Sequence, residues 1–169
     1  MDILCIDPSL NCTGYVVLHY EDEEITILES GITYNKNIPS KLIGQKLFNI
    51  ESALSRLFCD YQFQAIVKEA SFSNQRIKAT QRIFEVLGVI NCICYKNGYT
   101  DIAELAPTTV KKLVGGNGKC SKDEVKDNLY YYVGWYNYKT EDISDAVAVG
   151  IAYLKQKQFN IKLKSVMAE

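Results

Sequence analysis

Three β-rich runs stand back to back at the start of the chain, and every later β run is separated from the next by a segment long enough for a helix. Residues 2–7 form a continuous apolar run that closes on Asp7 and Pro8. Residues 13–20 and 24–34 follow, parted only by the acidic turn Glu21 to Glu24, and the three together predict a meander. Pro39 and Ser40 then open a helix through about Cys59, with Leu42, Ile43, Leu47, Ile50, Leu54 and Leu57 on one face. A fourth strand reads over 63–70. A second helix runs from about Asn74 to Lys96 and stops at Asn97-Gly98. Residues 101–106 make a fifth, short strand, and Pro107 and Thr108 start a helix that ends at Gly115-Gly116. Ser121 with Glu124 three residues on is a capping box for the next helix, and a last one covers about 141–158. The order is β-β-β-α-β-α-β-α-α. Strands joined through helices run parallel, so the predicted fold is α/β. Its mixed five-stranded sheet has three antiparallel strands, then parallel strands, with helices on both faces. Residues 1–158 read as one domain and 159–169 as a basic, loose tail.

Composition narrows the function. With 169 residues the chain can bury a sizeable core. No apolar run reaches the roughly 18 residues of a membrane span. The first residues lack the basic flank of a signal peptide, which points to the cytoplasm. Six cysteines contain no CxxC pair and His19 is the single histidine, which argues against a structural zinc site and against a Ser-His mechanism. Cys92 and Cys94 read as small core residues. Net charge is −1, yet the basic residues cluster: Arg76, Lys78 and Arg82; Lys111, Lys112, Lys119, Lys122 and Lys126; and Lys155, Lys157, Lys162 and Lys164. Such clusters are either solvated faces or one anion-binding side. The second helix is apolar nearly all the way round, from Ile83 to Cys94. It is either a central core helix or a helix packed on the sheet by one face and on a second copy of the chain by the other. We expect the homodimer.

The carboxylates say more. Asp7 ends strand 1 and Glu69 ends strand 4. In a parallel pair these ends share the sheet edge where α/β proteins form their sites. The final helix opens with "EDISDAVAVG", which sets Asp142 and Asp145 three apart on one face of its first turn. Asp142 alone could be an ordinary helix-end acid. Converging carboxylates repel one another unless a cation joins them, and an all-oxygen set suits a hard ion, Mg²⁺ with Mn²⁺ as substitute. Two such ions about 3.5–4 Å apart clamp the attacking and leaving oxygens of a phosphoryl displacement, which removes the need for a histidine base.

With these residues in place, the chain resembles the RuvC family of Holliday-junction resolvases in the ribonuclease H-like superfamily, almost end to end. "ILCIDPSLNCTGY" is similar to the family's opening strand and Asp-Pro turn. "VKEASF" is similar to its strand-ending glutamate with an aromatic three residues on. "LAPTTVKKLVGGNGKCSKDEV" resembles its Pro, Val-Lys, glycine-turn and lysine block, and "DISDAVAVGIAY" its Asp-x-x-Asp-Ala block. The resemblance implies that Asp7, Glu69, Asp142 and Asp145 hold the metal, and that Lys111 and Lys122 lie near the scissile phosphate. It implies that Phe72 stacks at the opened junction centre. From the basic clusters, Arg76, Lys78, Arg82, Lys112 and Lys119 are expected as further DNA contacts. Ser9 stands where many members have Gly, and Lys68 where members often have an apolar or acidic residue. "GGNGKCSK" is not a P-loop, because the first glycine of that pattern falls on Leu113 and Cys120 replaces the Ser/Thr. No nucleotide cofactor is expected.

The function implied is a metal-dependent endonuclease, a crossover junction endodeoxyribonuclease. It would cut four-way and other branched DNA in paired strands, as a homodimer, to 5′-phosphate and 3′-hydroxyl ends. Its place would be the cytoplasm of a bacterium or, for a phage-encoded member, of the host. Two alternatives stay open on sequence: a ribonuclease H-like nuclease acting on structured RNA, and a branched-DNA binding module without catalysis.

Overall fold

A computed structural model describes residues 1–70 and 77–164, residues 77–79 by their backbone alone. Strands β1 (Asp2–Asp7), β2 (Cys12–Glu21), β3 (Glu24–Tyr34), β4 (Ala65–Glu69) and β5 (Ala103–Leu105) form one sheet in the order β3-β2-β1-β4-β5. β1 pairs antiparallel with β2 and parallel with β4; β2 and β3 are antiparallel and β4 and β5 parallel. This is the predicted α/β sheet.

The central strand explains the layering. Ile3, Leu4, Cys5 and Ile6 are all fully buried, as a strand covered on both faces must be. Leu4 and Ile6 face α1 (Ile43–Asp60) and α2 (Ile77–Lys96), against Ile50, Leu54, Leu57, Val86 and Ile90. Ile3 and Cys5 face α3 (Pro107–Gly115), α4 (Lys122–Val133) and above all α5 (Glu141–Gln156). Helix α5 is buried almost continuously from Ile143 to Leu154. Each of its large aliphatic side chains contributes about 1.5–3 kcal/mol of burial. No helix among the described residues is long and apolar enough to cross a membrane.

Local signals hold in most places. Ser121 accepts from the Glu124 backbone N–H while the Glu124 carboxylate accepts from the Ser121 N–H, completing the capping box of α4. Ser121→Ala should therefore cost about 1 kcal/mol, read as a fall in Tm. Other expectations need correction. Helix α1 begins at Ile43 rather than at Pro39, because Pro39 and Leu42 close a turn (Leu42 N–H to Pro39 O, 2.9 Å) before it. Cys92 is exposed; only Cys94 enters the core. Nor does the segment from Phe159 to Lys164 hang free. The Phe159 ring meets Tyr20 edge-on at 5.1 Å, and Lys162 and Lys164 both reach the Glu24 carboxylate in the β2–β3 turn. Glu24 of the acidic turn thus ties down two lysines of the basic tail.

Candidate active site

Strand pairing sets the first two acids side by side. The last paired residues of β1 and β4 are Ile6 and Lys68, so Asp7 and Glu69 are the next step on neighbouring parallel strands. Side chains alternate along a strand. Cys5 and Val67 belong to the α5 side of the sheet, and so therefore do Asp7 and Glu69. Lys68 points the opposite way. Its ammonium is buried against the α2 face, bonded to Asn91 and 2.9 Å from Glu104, and adds nothing to the acids beside it.

Helix α5 brings the third acid. Asp145, at the start of its second turn, lines a cleft with Asp7, Glu69, Lys111 and Lys122 over a floor of Pro107, Val110, Val125 and Ala148. Asp142 does not line this cleft. Its Oδ2 accepts from the Cys12 thiol at 3.0 Å, which turns the carboxylate toward the start of β2. So the four predicted acids gather at one sheet edge, and three of them share the cleft. The close approach of α5 depends on Gly14 near the start of β2: a Cβ there would lie 2.1 Å from the Asp142 carbonyl oxygen.

Crowding shows in the acidities. Burial, then the Glu69 and Asp145 carboxylates, push Asp7 up to about 8. Glu69 is pushed up to about 6 by burial and by Asp145, with Lys122 and Lys111 pulling the other way. Lys122 donates to Asp145 Oδ2 at 2.5 Å, and this bond holds the lysine above its ordinary range. One ammonium thus offsets part of the repulsion among three carboxylates. Among the described residues no three His, Cys, Asp or Glu side chains close into a ready cation cage. The reason is visible: Asp142 is tied to Cys12 and Asp145 to Lys122. The donor set nevertheless fits a hard divalent ion. It is all carboxylate, and burial and its neighbours' charges push its most buried member up to about 8, a cost that a bound cation would relieve.

The remaining predicted contacts divide. Lys112 and Lys119 are exposed on α3 and the turn after it, on the same side of the fold as the cleft. Arg82 is paired with Glu85 at 2.6 Å on α2. Phe72 and Arg76 lie outside the described residues, as does the Lys78 side chain. Cys12 escaped the sequence reading, as did Lys46. Lys46 is 5 % exposed and donates at 2.7 Å to Asn11, fixing the turn that follows Asp7. Gly14 carried the one usable signal, a glycine within a strand where another backbone comes close.

Mixed sheet, strand-end acids and a helix-borne acid define a ribonuclease H-like nuclease class. The family model described as "Crossover junction endodeoxyribonuclease RuvC" matches residues 3–153. The crossover junction endodeoxyribonuclease RuvC of Ehrlichia ruminantium (strain Gardel) is 31% identical over 157 residues, covering 91% of this chain and 96% of that protein. The RuvC of Dictyoglomus thermophilum is 30% identical over 159 residues, covering 94% and 99%. Among solved structures, T. thermophilus RuvC in complex with a Holliday junction substrate superposes with a TM-score of 0.83 at 17% identity, covering 97% of this chain and 99% of that one. The fowlpox virus Holliday junction resolvase gives 0.59 at 15% identity, covering 93% and 99%. The chain belongs to the RuvC family of crossover junction endodeoxyribonucleases.

Proposed function

We propose that this chain is a metal-dependent endonuclease that resolves four-way DNA junctions and other branched DNA, leaving 5′-phosphate and 3′-hydroxyl ends. The observation that carries the reading is the cleft itself, where Asp7, Glu69 and Asp145 face Lys111 and Lys122. Asp7, Glu69 and Asp145 would hold Mg²⁺, with Mn²⁺ as a substitute, and Asp142 would join them by leaving Cys12. A divalent cation bound there supplies Lewis-acid polarisation of the phosphate and an activated water. Asp7 would bind as its carboxylate, so loading the site would release the proton that burial favours on it. Lys122, released from Asp145, and Lys111 then offset charge that builds on the scissile phosphate. Lys122→Ala should lower the single-turnover cleavage rate by about 10²-fold.

The apolar α2 supports a homodimer. Val86, Ile90 and Ile93 are buried against the chain's own core, while Phe84 and Tyr95 stay 53% and 71% exposed on the outer side. A twofold pair through this face would set two clefts across one junction and cut paired strands. Substrate competition tests the reading. A labelled four-way DNA junction should be cleaved in preference to linear duplex and to structured RNA of similar length. Preference for the RNA would overturn it, and tight junction binding without cleavage at any Mg²⁺ or Mn²⁺ concentration would reduce the chain to a binding module.

A further inference from the structure

The last turn of α4 and the start of its connection to α5 make the most aromatic stretch of the chain, "YYYVGWYNY" from Tyr130 to Tyr138, and the cleft makes no use of it. The connection ends at the helix that carries Asp142 and Asp145. After Gly134, whose φ of 75° turns the chain out of α4, residues alternate in exposure. Tyr136, Tyr138 and Thr140 are partly buried. Trp135, Asn137 and Lys139 are exposed, Trp135 by 81%. The inward residues pin the segment: the Tyr136 and Ser30 hydroxyls are 2.8 Å apart, the Tyr136 and Tyr138 rings are 5.1 Å apart, and Tyr138 packs on the core. A tryptophan so exposed on a segment so anchored is held out by the fold.

Its surroundings suit a polyanion. Ser30, Ile32 and Tyr34 alternate onto one face of β3, the face that Tyr136 grips, and β3 runs toward the same sheet edge as Asp7. At that end Tyr34 is 51% exposed, with the Lys36 ammonium 6.0 Å from its ring centre. Among the described residues neither Lys36 nor Lys139 has a carboxylate partner, whereas Lys162, Lys164 and Arg82 are all paired. Aromatic faces interleaved with unpaired lysines and an exposed amide are the chemistry that follows a nucleic-acid backbone. From Trp135 to Asp142 is seven residues, at most about 25 Å of chain, or about seven base-pair steps.

We propose that Trp135, Asn137 and Lys139, with Tyr34 and Lys36 at the end of β3, form a second DNA contact. It would grip one duplex arm of the branched substrate within about seven base-pair steps of the cleft. The proposal rests on the branched-DNA reading above. Lys36 and Lys139 contact phosphates, and Trp135 lies against the sugar edge or the bases at the far end.

Trp135 is the only tryptophan in the chain, so its emission reports the contact directly. Titrating a long-armed four-way junction into the wild-type protein should quench or shift that emission in step with binding followed by anisotropy. Trp135→Ala should raise Kd about tenfold. Lys36→Ala with Lys139→Ala should also weaken binding and lower the salt slope by about two, each lysine releasing about one counterion. Trp135→Phe should keep much of the affinity, which separates lost stacking from a lost fold. Wild-type binding with unchanged emission, and equal affinity in Trp135→Ala, would overturn the arm contact and leave Trp135 to a protein partner. A wild type that binds no junction by anisotropy would remove the branched-DNA reading, and the arm contact with it.

Discussion

Asp7→Asn should abolish cleavage and at the same time make the metal-free protein more stable. Both effects come from one carboxylate. On the activity side, Asp7 shares the cleft with Glu69 and Asp145, and Asn in its place would remove a proposed cation ligand worth several kcal/mol to the transition state. At about 1.4 kcal/mol per decade, the rate should fall by 10³-fold or more, on the order of complete loss in a gel assay. On the stability side, the folded carboxyl titrates near 8, above its ordinary value of 3.8. A folded pKa raised above the unfolded one means that the folded chain holds its proton longer. There is no penalty below about pH 4, a growing penalty as pH rises, and a plateau above about pH 8. At pH 7 the cost is on the order of 4 kcal/mol. In EDTA at pH 7, Asp7→Asn should therefore raise Tm by about 5 °C or more, and the gap between the two proteins should close toward pH 4. Mg²⁺ should raise the wild-type Tm and leave the variant nearly unmoved. A variant less stable than wild type at pH 7 would mean that the carboxylates are not in conflict.

Gly14→Ala should be nearly as damaging, although residue 14 does no chemistry. The added methyl would lie 2.1 Å from the Asp142 carbonyl oxygen and 2.5 Å from its carbon, and both are backbone atoms that no rotamer can move. The start of α5 must lift away from β2, and Asp145 must leave the cleft with it. Overpacking of this kind costs about 1–3 kcal/mol. A displacement near 1 Å at a reacting site costs about 10²-fold in rate. We expect a lower Tm together with a cleavage rate reduced by about 10²-fold, and crystals of the variant should show α5 shifted at its first turn. Wild-type activity in Gly14→Ala would show that the position of Asp145 tolerates such a shift.

Much of this was legible in the sequence because it follows from strand logic. A run that is apolar to its end and closes on Asp7, and another that closes on Glu69, must meet at one sheet edge once the intervening helix makes them parallel. The place of Asp145 follows from its position near the N-terminus of a helix buried to Leu154. What the sequence did not disclose depends on contacts across the chain. The Cys12 thiol meets Asp142 across 130 residues, which requires the tilt of α5 over β2. Lys68, read only as a departure from the family pattern, turns its charge to the α2 face because residue 68 has the opposite parity to Glu69. The tail was read as loose because its lysines were counted apart from Glu24, which binds two of them.

The most direct test is cleavage of an end-labelled four-way junction by the wild-type chain in Mg²⁺ and in EDTA, with the nicks mapped on all four strands. The account predicts metal-dependent nicks, paired symmetrically across the junction, with 5′-phosphates that a ligase reseals. Cleavage that persists in EDTA, or its absence in both Mg²⁺ and Mn²⁺ from a protein that binds the junction, would contradict it.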